Sequence, residues 1–176
     1  MGPETDIPHG AIRTEAGVGD WTPPSARERR PILEDTKTVA VVGASTNPAR
    51  PAYFVATYLL ASSNYDVYFI NPSGGEIMGR PVLPSLDALD VVPDMIDVFR
   101  RSTDLPGVFD EAQHLGAKTF WVQLGLWHDD VARLGHAAGM QVVMNRCLKI
   151  EHARFAGGLN RAGFDTGVIS SRKARF

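Results

Sequence analysis

Gly43, Ala44, Ser45 and Arg50, with Pro51 directly after, are residue types suited to holding an anion. They follow the apolar run Val39-Ala40-Val41-Val42, which stops at Gly43. A glycine lets backbone approach a ligand closely, and Ala44 and Ser45 put no bulk in front of the loop's N–H groups. Pro51 suits the first turn of a helix, where a missing N–H costs nothing. Unpaired amides at such a helix start attract a phosphate, and Arg50 adds a fork of donors. The plain alternative is an ordinary turn between a strand and a helix.

Further candidates stand at other abrupt ends of apolar runs. Asn71-Pro72-Ser73-Gly74-Gly75 follows Val67–Ile70, Arg100-Arg101-Ser102 follows Met95–Phe99, and Gln123-Leu124-Gly125 follows Thr119–Val122. Asn145-Arg146-Cys147 closes the run that begins at Gln141. A dinucleotide enzyme needs an acidic residue at the second of these ends to hold the ribose hydroxyls. Asn71 stands there instead, and Gly43-Ala44-Ser45 is not a G-x-G-x-x-G, so both features count against NAD. Cys147, Glu151 and His152 match no established zinc spacing, and a lone cysteine is most often a small buried hydrophobe. His114, His128 and His136 lie on or beside expected helices and read as structural or solvent-facing, while His9 stands near the N-terminus. No group of residues reads as catalytic or as a metal site, and activity as an enzyme is not expected.

The elements that must position these residues follow from periodicity. Strands are expected at 39–42, 67–70, 95–99, 119–122 and 141–144, each short and apolar on both faces, as in a parallel sheet. Between them, helical spacing is expected over 51–63, 105–115 and 129–138, with a further helix over 149–156. Residues 79–85, with two prolines, read as an irregular link, with Ser85 capping a short helix through Leu89. A short helix over 27–35 is expected to break or start at Pro31. The fold class is therefore α/β: a Rossmann-like, doubly wound sheet of about five parallel strands flanked by helices, with an irregular N-terminal arm. Right-handed crossovers carry every polar strand end listed above to one rim, where ligands of such sheets bind. Residues 1–30 form the arm, 31–171 the domain and 172–176 a basic tail; Trp21 docks either on the domain or on a neighbouring subunit.

Composition narrows the function class. A net charge of -2 does not suit a nucleic-acid-binding domain, and a single cysteine excludes an intramolecular disulfide framework. No apolar run is long enough to cross a bilayer, and no hydrophobic signal region opens the chain. A cytoplasmic protein is expected.

The sequence resembles the small, stand-alone CoA-binding proteins related to the CoA-binding domain of succinyl-CoA synthetase alpha chains. The resemblance rests on VVGAS-x-NP-x-RP at 41–51, INP at 70–72, DVFRRS at 97–102, VQLG at 122–125, NRCLKIE at 145–151 and DTGVISS at 165–171. It implies a Rossmann-type domain, bound coenzyme A or acyl-CoA and a homo-oligomer, with no established catalytic activity for most members. Matched by position, it puts Gly43, Ala44 and Ser45 at the pyrophosphate, with Asn47 and Arg50 close by. Asn71 and Pro72 are expected on the adenosine side, Phe99, Arg100 and Arg101 on the loop after the third strand, and Gln123, Leu124 and Gly125 on the loop after the fourth. Asn145 completes the set. Leu148 stands where members commonly carry proline, and Asn145 where an acidic residue is often found. The expected function is a non-catalytic carrier or sensor of coenzyme A. The alternatives are a nicotinamide-dependent oxidoreductase or an acyl-CoA-handling enzyme using the same cleft, or a subunit of a larger ligase.

Overall fold

A computed structural model of the chain describes residues 19–155. The basic tail, the 165–171 motif, His9 and the first part of the expected arm lie outside the described residues. Among the described residues five α-helices and seven strands follow in the order α1 (Ala26–Asp35), β1 (Thr38–Val42), α2 (Pro51–Ser62), β2 (Asp66–Ile70), β3 (Glu76–Ile77), β4 (Arg80–Leu83), β5 (Met95–Val98), α3 (Leu105–Leu115), β6 (Thr119–Val122), α4 (Asp129–Ala137), β7 (Gln141–Val143) and α5 (Leu148–Phe155). All seven strands form one sheet in the order β3-β4-β2-β1-β5-β6-β7. Every neighbouring pair is parallel except β3 with β4.

The apolar runs are buried strands because both faces of the sheet are covered. Val39, Val41, Met95, Trp121 and Val143 pack beneath α1, α2 and α5. Ala40, Val42, Ile96, Val98, Phe120 and Val142 pack beneath α3 and α4. Gly135 lets α4 lie close on β7, since a Cβ there would come within 2.4 Å of a Val142 methyl.

Three expectations need correction. Residues 79–85 are not an irregular link: β3 and β4 form a hairpin over Met78-Gly79, both at positive φ, and β4 extends the parallel sheet beside β2. A two-residue turn with both φ values positive matches strand twist. Two strands of two and four residues leave little periodicity to read. Helix α1 neither breaks nor starts at Pro31. It begins at Ala26, inside the segment expected to be an irregular arm, and is fixed by a capping box in which Ser25 N donates to Glu28 Oε2 (2.7 Å) and Glu28 N to Ser25 Oγ (3.4 Å). The short 3-10 turn over Leu86–Ala88 carries no side-chain cap from Ser85.

Trp21 docks on the domain. It is 3% exposed, donates its indole N–H to Val142 O (3.3 Å) and meets Trp127 edge-on. Helices α1 and α5 are pinned by a buried ion pair, Arg29 Nε to Glu151 Oε2 at 2.8 Å.

Candidate functional site

The sheet order reverses at β1: the chain crosses by α2 to β2 on one side and later to β5 on the other. The loops leaving β1 and β5 therefore part at this point, which opens a crevice at the carboxyl ends of the strands. Gly43 and Phe99 meet at its base. Gly43 has φ +84°, and a Cβ there would lie 2.5 Å from Phe99 O. The glycine is thus demanded by the approach of the two loops to each other, not only by room for a ligand.

The loop after β1 does not present the amides expected of it. Gly43 N and Ala44 N both donate to Ile70 O, at 2.9 and 3.3 Å, and Ala44 is buried. Asn47 N donates to Ser45 Oγ (3.2 Å), Ala49 N to Asn47 Oδ1 (2.9 Å) and Arg50 N to Asn47 O (3.0 Å). That leaves Ser45 N and Thr46 N without an acceptor among the described residues, together with Ala52 N in the first turn of α2. Pro51 has no N–H to offer. Thr46 and Ala52 were missed by sequence reasoning. Their amides stay open because a neighbouring strand and the Asn47 turn take the others, and residue type carries no sign of that. The Arg50 side chain is exposed and makes no hydrogen bond or ion pair among the described residues.

The remaining candidates divide. Asn71 is a clamp: its Nδ2 donates to Ala44 O (2.7 Å) and its Oδ1 accepts from Ser73 N (3.0 Å), so it ties the loop after β2 to the loop after β1. Pro72 is exposed beside it. Arg100 is half-buried with no partner among the described residues, whereas Arg101 points outward into an ion pair with Asp104 (3.2 Å). Phe99 packs partly against the core under α2 and α5. Leu124 is 63% exposed. Asn145 holds φ +55° and accepts from Gly125 N (2.7 Å), joining the loops after β6 and β7. Gln123 is nearly buried, and its Nε2 donates to Asp97 Oδ1 at 2.7 Å.

Asp97 is the polar residue that sequence reasoning passed over. It sits mid-strand on β5, opposite Val41 and Trp121, fully buried, with Oδ2 unpartnered. Burial pushes its carboxyl up to about 7, against the opposing effect of the Gln123 hydrogen bond. Burial likewise raises the Cys147 thiol, so it is held neutral and is not an activated nucleophile. Cys147, Glu151 and His152 do not converge: Glu151 bonds Arg29, and His152 Nδ1 meets Tyr58 OH at 3.0 Å. Among the described residues no His, Cys, Asp or Glu cluster suited to a metal ion occurs. No described helix is long and apolar enough to cross a membrane.

A cavity of about 730 Å³ lies at the opposite rim, where Asp94, Lys118 and Gln141 sit at the strand starts. Its chemistry is already engaged. Asp94 Oδ2 accepts from Lys37 N, Thr38 N and Thr38 Oγ1, and Oδ1 from Lys118 Nζ (2.9 Å). Desolvation raises this carboxyl, but these four donors outweigh it and bring it to about 2. The group is a staple between β1, β5 and β6.

Three comparisons place the chain among known proteins. The model of a family described as "CoA binding domain" matches residues 37–153. An uncharacterized protein of Bacillus subtilis (strain 168), YneT, is 35% identical over 130 residues, covering 74% of this chain and 96% of that protein. A Thermus thermophilus structure, cell-free ID.343, is 36% identical with a TM-score of 0.70, over 75% of this chain and 99% of its own. The dinucleotide-forming acetyl-coenzyme A synthetase 1 of Ca. Korarchaeum cryptofilum, solved with phosphate and ADP, aligns at 26% identity and a TM-score of 0.54. That alignment covers 60% of this chain and 25% of the synthetase.

Proposed function

Since this chain belongs to the CoA binding domain family, we propose that it binds coenzyme A in the crevice at the switch point and acts as a carrier or sensor of it. One observation carries the reading: three amides without an acceptor among the described residues, Ser45 N, Thr46 N and Ala52 N, belong to the loop after β1 and the first turn of α2, the same stretch that carries the exposed Arg50 side chain. These donors suit the pyrophosphate, and a helix N-terminus adds its dipole. Arg100, whose side chain likewise has no partner among the described residues, follows β5 across the crevice and suits further phosphate charge. Binding rather than catalysis is supported by what the rim offers, namely amides, guanidinium groups and a carboxamide, with the Cys147 thiol kept neutral.

The nicotinamide reading has less support, because Asn71 spends its side chain on Ala44 O and Ser73 N and leaves no acid for ribose hydroxyls. Calorimetric titration with CoA, acetyl-CoA, NAD and ATP in parallel tests the proposal. Selective binding of the CoA species is expected. Selective binding of NAD, or no binding of any of the four, would overturn it.

A further inference from the structure

Asp97 is costly to keep where it is. A carboxyl buried mid-strand with one oxygen unpartnered stabilises less than a leucine would in the same space. What it contributes is a grip on Gln123 Nε2. An acceptor oxygen held beneath the side-chain amide turns the nitrogen inward and leaves Oε1 on the other side. Gln123 Oε1 accepts no hydrogen bond from the described residues, and it is not among their buried unpartnered atoms, since Asp97 Oδ2 stands alone there. Oε1 therefore meets the surface.

The register fixes which surface. Val41, Asp97 and Trp121 stand side by side, so two residues further on Gly43, Phe99 and Gln123 share that face at the carboxyl ends of β1, β5 and β6. Gln123 is thus two strands from Gly43, about 10 Å along the rim. Coenzyme A continues from its pyrophosphate into a pantetheine arm with two secondary amides, and an extended arm spans that distance.

We propose that Gln123 Oε1, oriented by Asp97, is the acceptor for an amide N–H of the pantetheine arm. Asp97 acts as a positioning residue behind it. This rests on the coenzyme A reading and adds the group that separates the cofactor from nucleotides without the arm.

The test compares coenzyme A with 3′-phosphoadenosine diphosphate, the same molecule lacking pantetheine, by calorimetry on the full chain. Gln123→Met keeps length but removes the acceptor. It is expected to weaken coenzyme A about tenfold, the worth of one buried hydrogen bond, and to leave the truncated nucleotide unchanged. Asp97→Leu frees the amide to turn and is expected to lose the same preference. Asp97→Asn keeps an acceptor for Nε2 and is expected to retain it. A folded Gln123→Met protein, by thermal melt, with an unaltered preference for coenzyme A would overturn the proposal. Equal loss of both ligands would overturn it too, as a purely structural effect. Failure of the unsubstituted chain to bind either ligand would instead remove the reading on which it rests.

Discussion

At the residue scale, two residues, Gly43 directly after β1 and Asp97 within β5, have roles that residue type alone does not show. Gly43 looks like a ligand-facing glycine, yet its missing Cβ is required by Phe99 O at 2.5 Å and by φ +84°. Gly43→Ala is therefore expected to cost stability, about 2 kcal/mol or more, and not to act on ligand binding alone. Denaturant unfolding measures this, and an unchanged midpoint would show the contact is relieved cheaply. Asp97 is a buried acid whose folded value, about 7, lies above the roughly 3.9 of an unfolded aspartate. Below about pH 4 both states hold the proton and the group is neutral toward stability. As pH rises from 4 to 7 the unfolded state releases its proton first, so stability falls, and it levels off above 7. Asp97→Asn is expected to flatten that stretch of the profile and to be the more stable form at pH 8. The Arg50 side chain is exposed and has no partner among the described residues, so Arg50→Ala is expected to leave the melting temperature unchanged while weakening coenzyme A about tenfold, the loss of a charge-assisted hydrogen bond.

Among the elements, the loops are held by each other. Asn71 fastens the loop after β2 to Ala44, and Asn145 fastens the loop after β7 to Gly125. Asn145 does so from φ +55°, a conformation asparagine tolerates better than most residues. Asn145→Ala combines a lost hydrogen bond with left-handed strain and is expected to destabilise by about 1–2 kcal/mol. Asn145→Gly removes the strain and is expected to cost less, a ranking that chemical denaturation reads directly. Helices α1 and α5 are joined by Arg29 and Glu151, both nearly buried.

For the whole molecule, the segment before the first strand is part of the core. Trp21 closes the layer beneath α3 and α4 against Val142 and Trp127. Trp21→Ala is expected to cost about 3–5 kcal/mol, as for other buried tryptophans, seen as a lowered thermal midpoint. The two rims of the sheet also have separate characters. The amino-terminal rim is stapled by Asp94, whose lowered carboxyl makes its contribution vanish as pH falls from about 4 to 2. The carboxyl-terminal rim leaves three amides and the side chains of Arg50 and Arg100 without a partner among the described residues.

How much was legible without coordinates follows from what each level of structure depends on. The five strands β1, β2, β5, β6 and β7, their crossover helices and the rim that gathers Gly43, Asn71, Arg100, Gln123 and Asn145 were in the sequence, because burial on both faces writes apolar runs and crossover handedness leaves one arrangement. The hairpin at β3 and β4 was not, since so few residues carry no period. Nor could the sequence tell which amides stay open, that Arg101 is spent on Asp104, or that Gln123 turns its nitrogen toward Asp97. Those are decided by which atoms the folded backbone brings within hydrogen-bonding reach, across neighbouring strands for Gln123 and Asp97 and within one turn for Arg101 and Asp104. Residue type sets what a group can donate or accept, and only the tertiary structure determines whether a neighbour has already taken it.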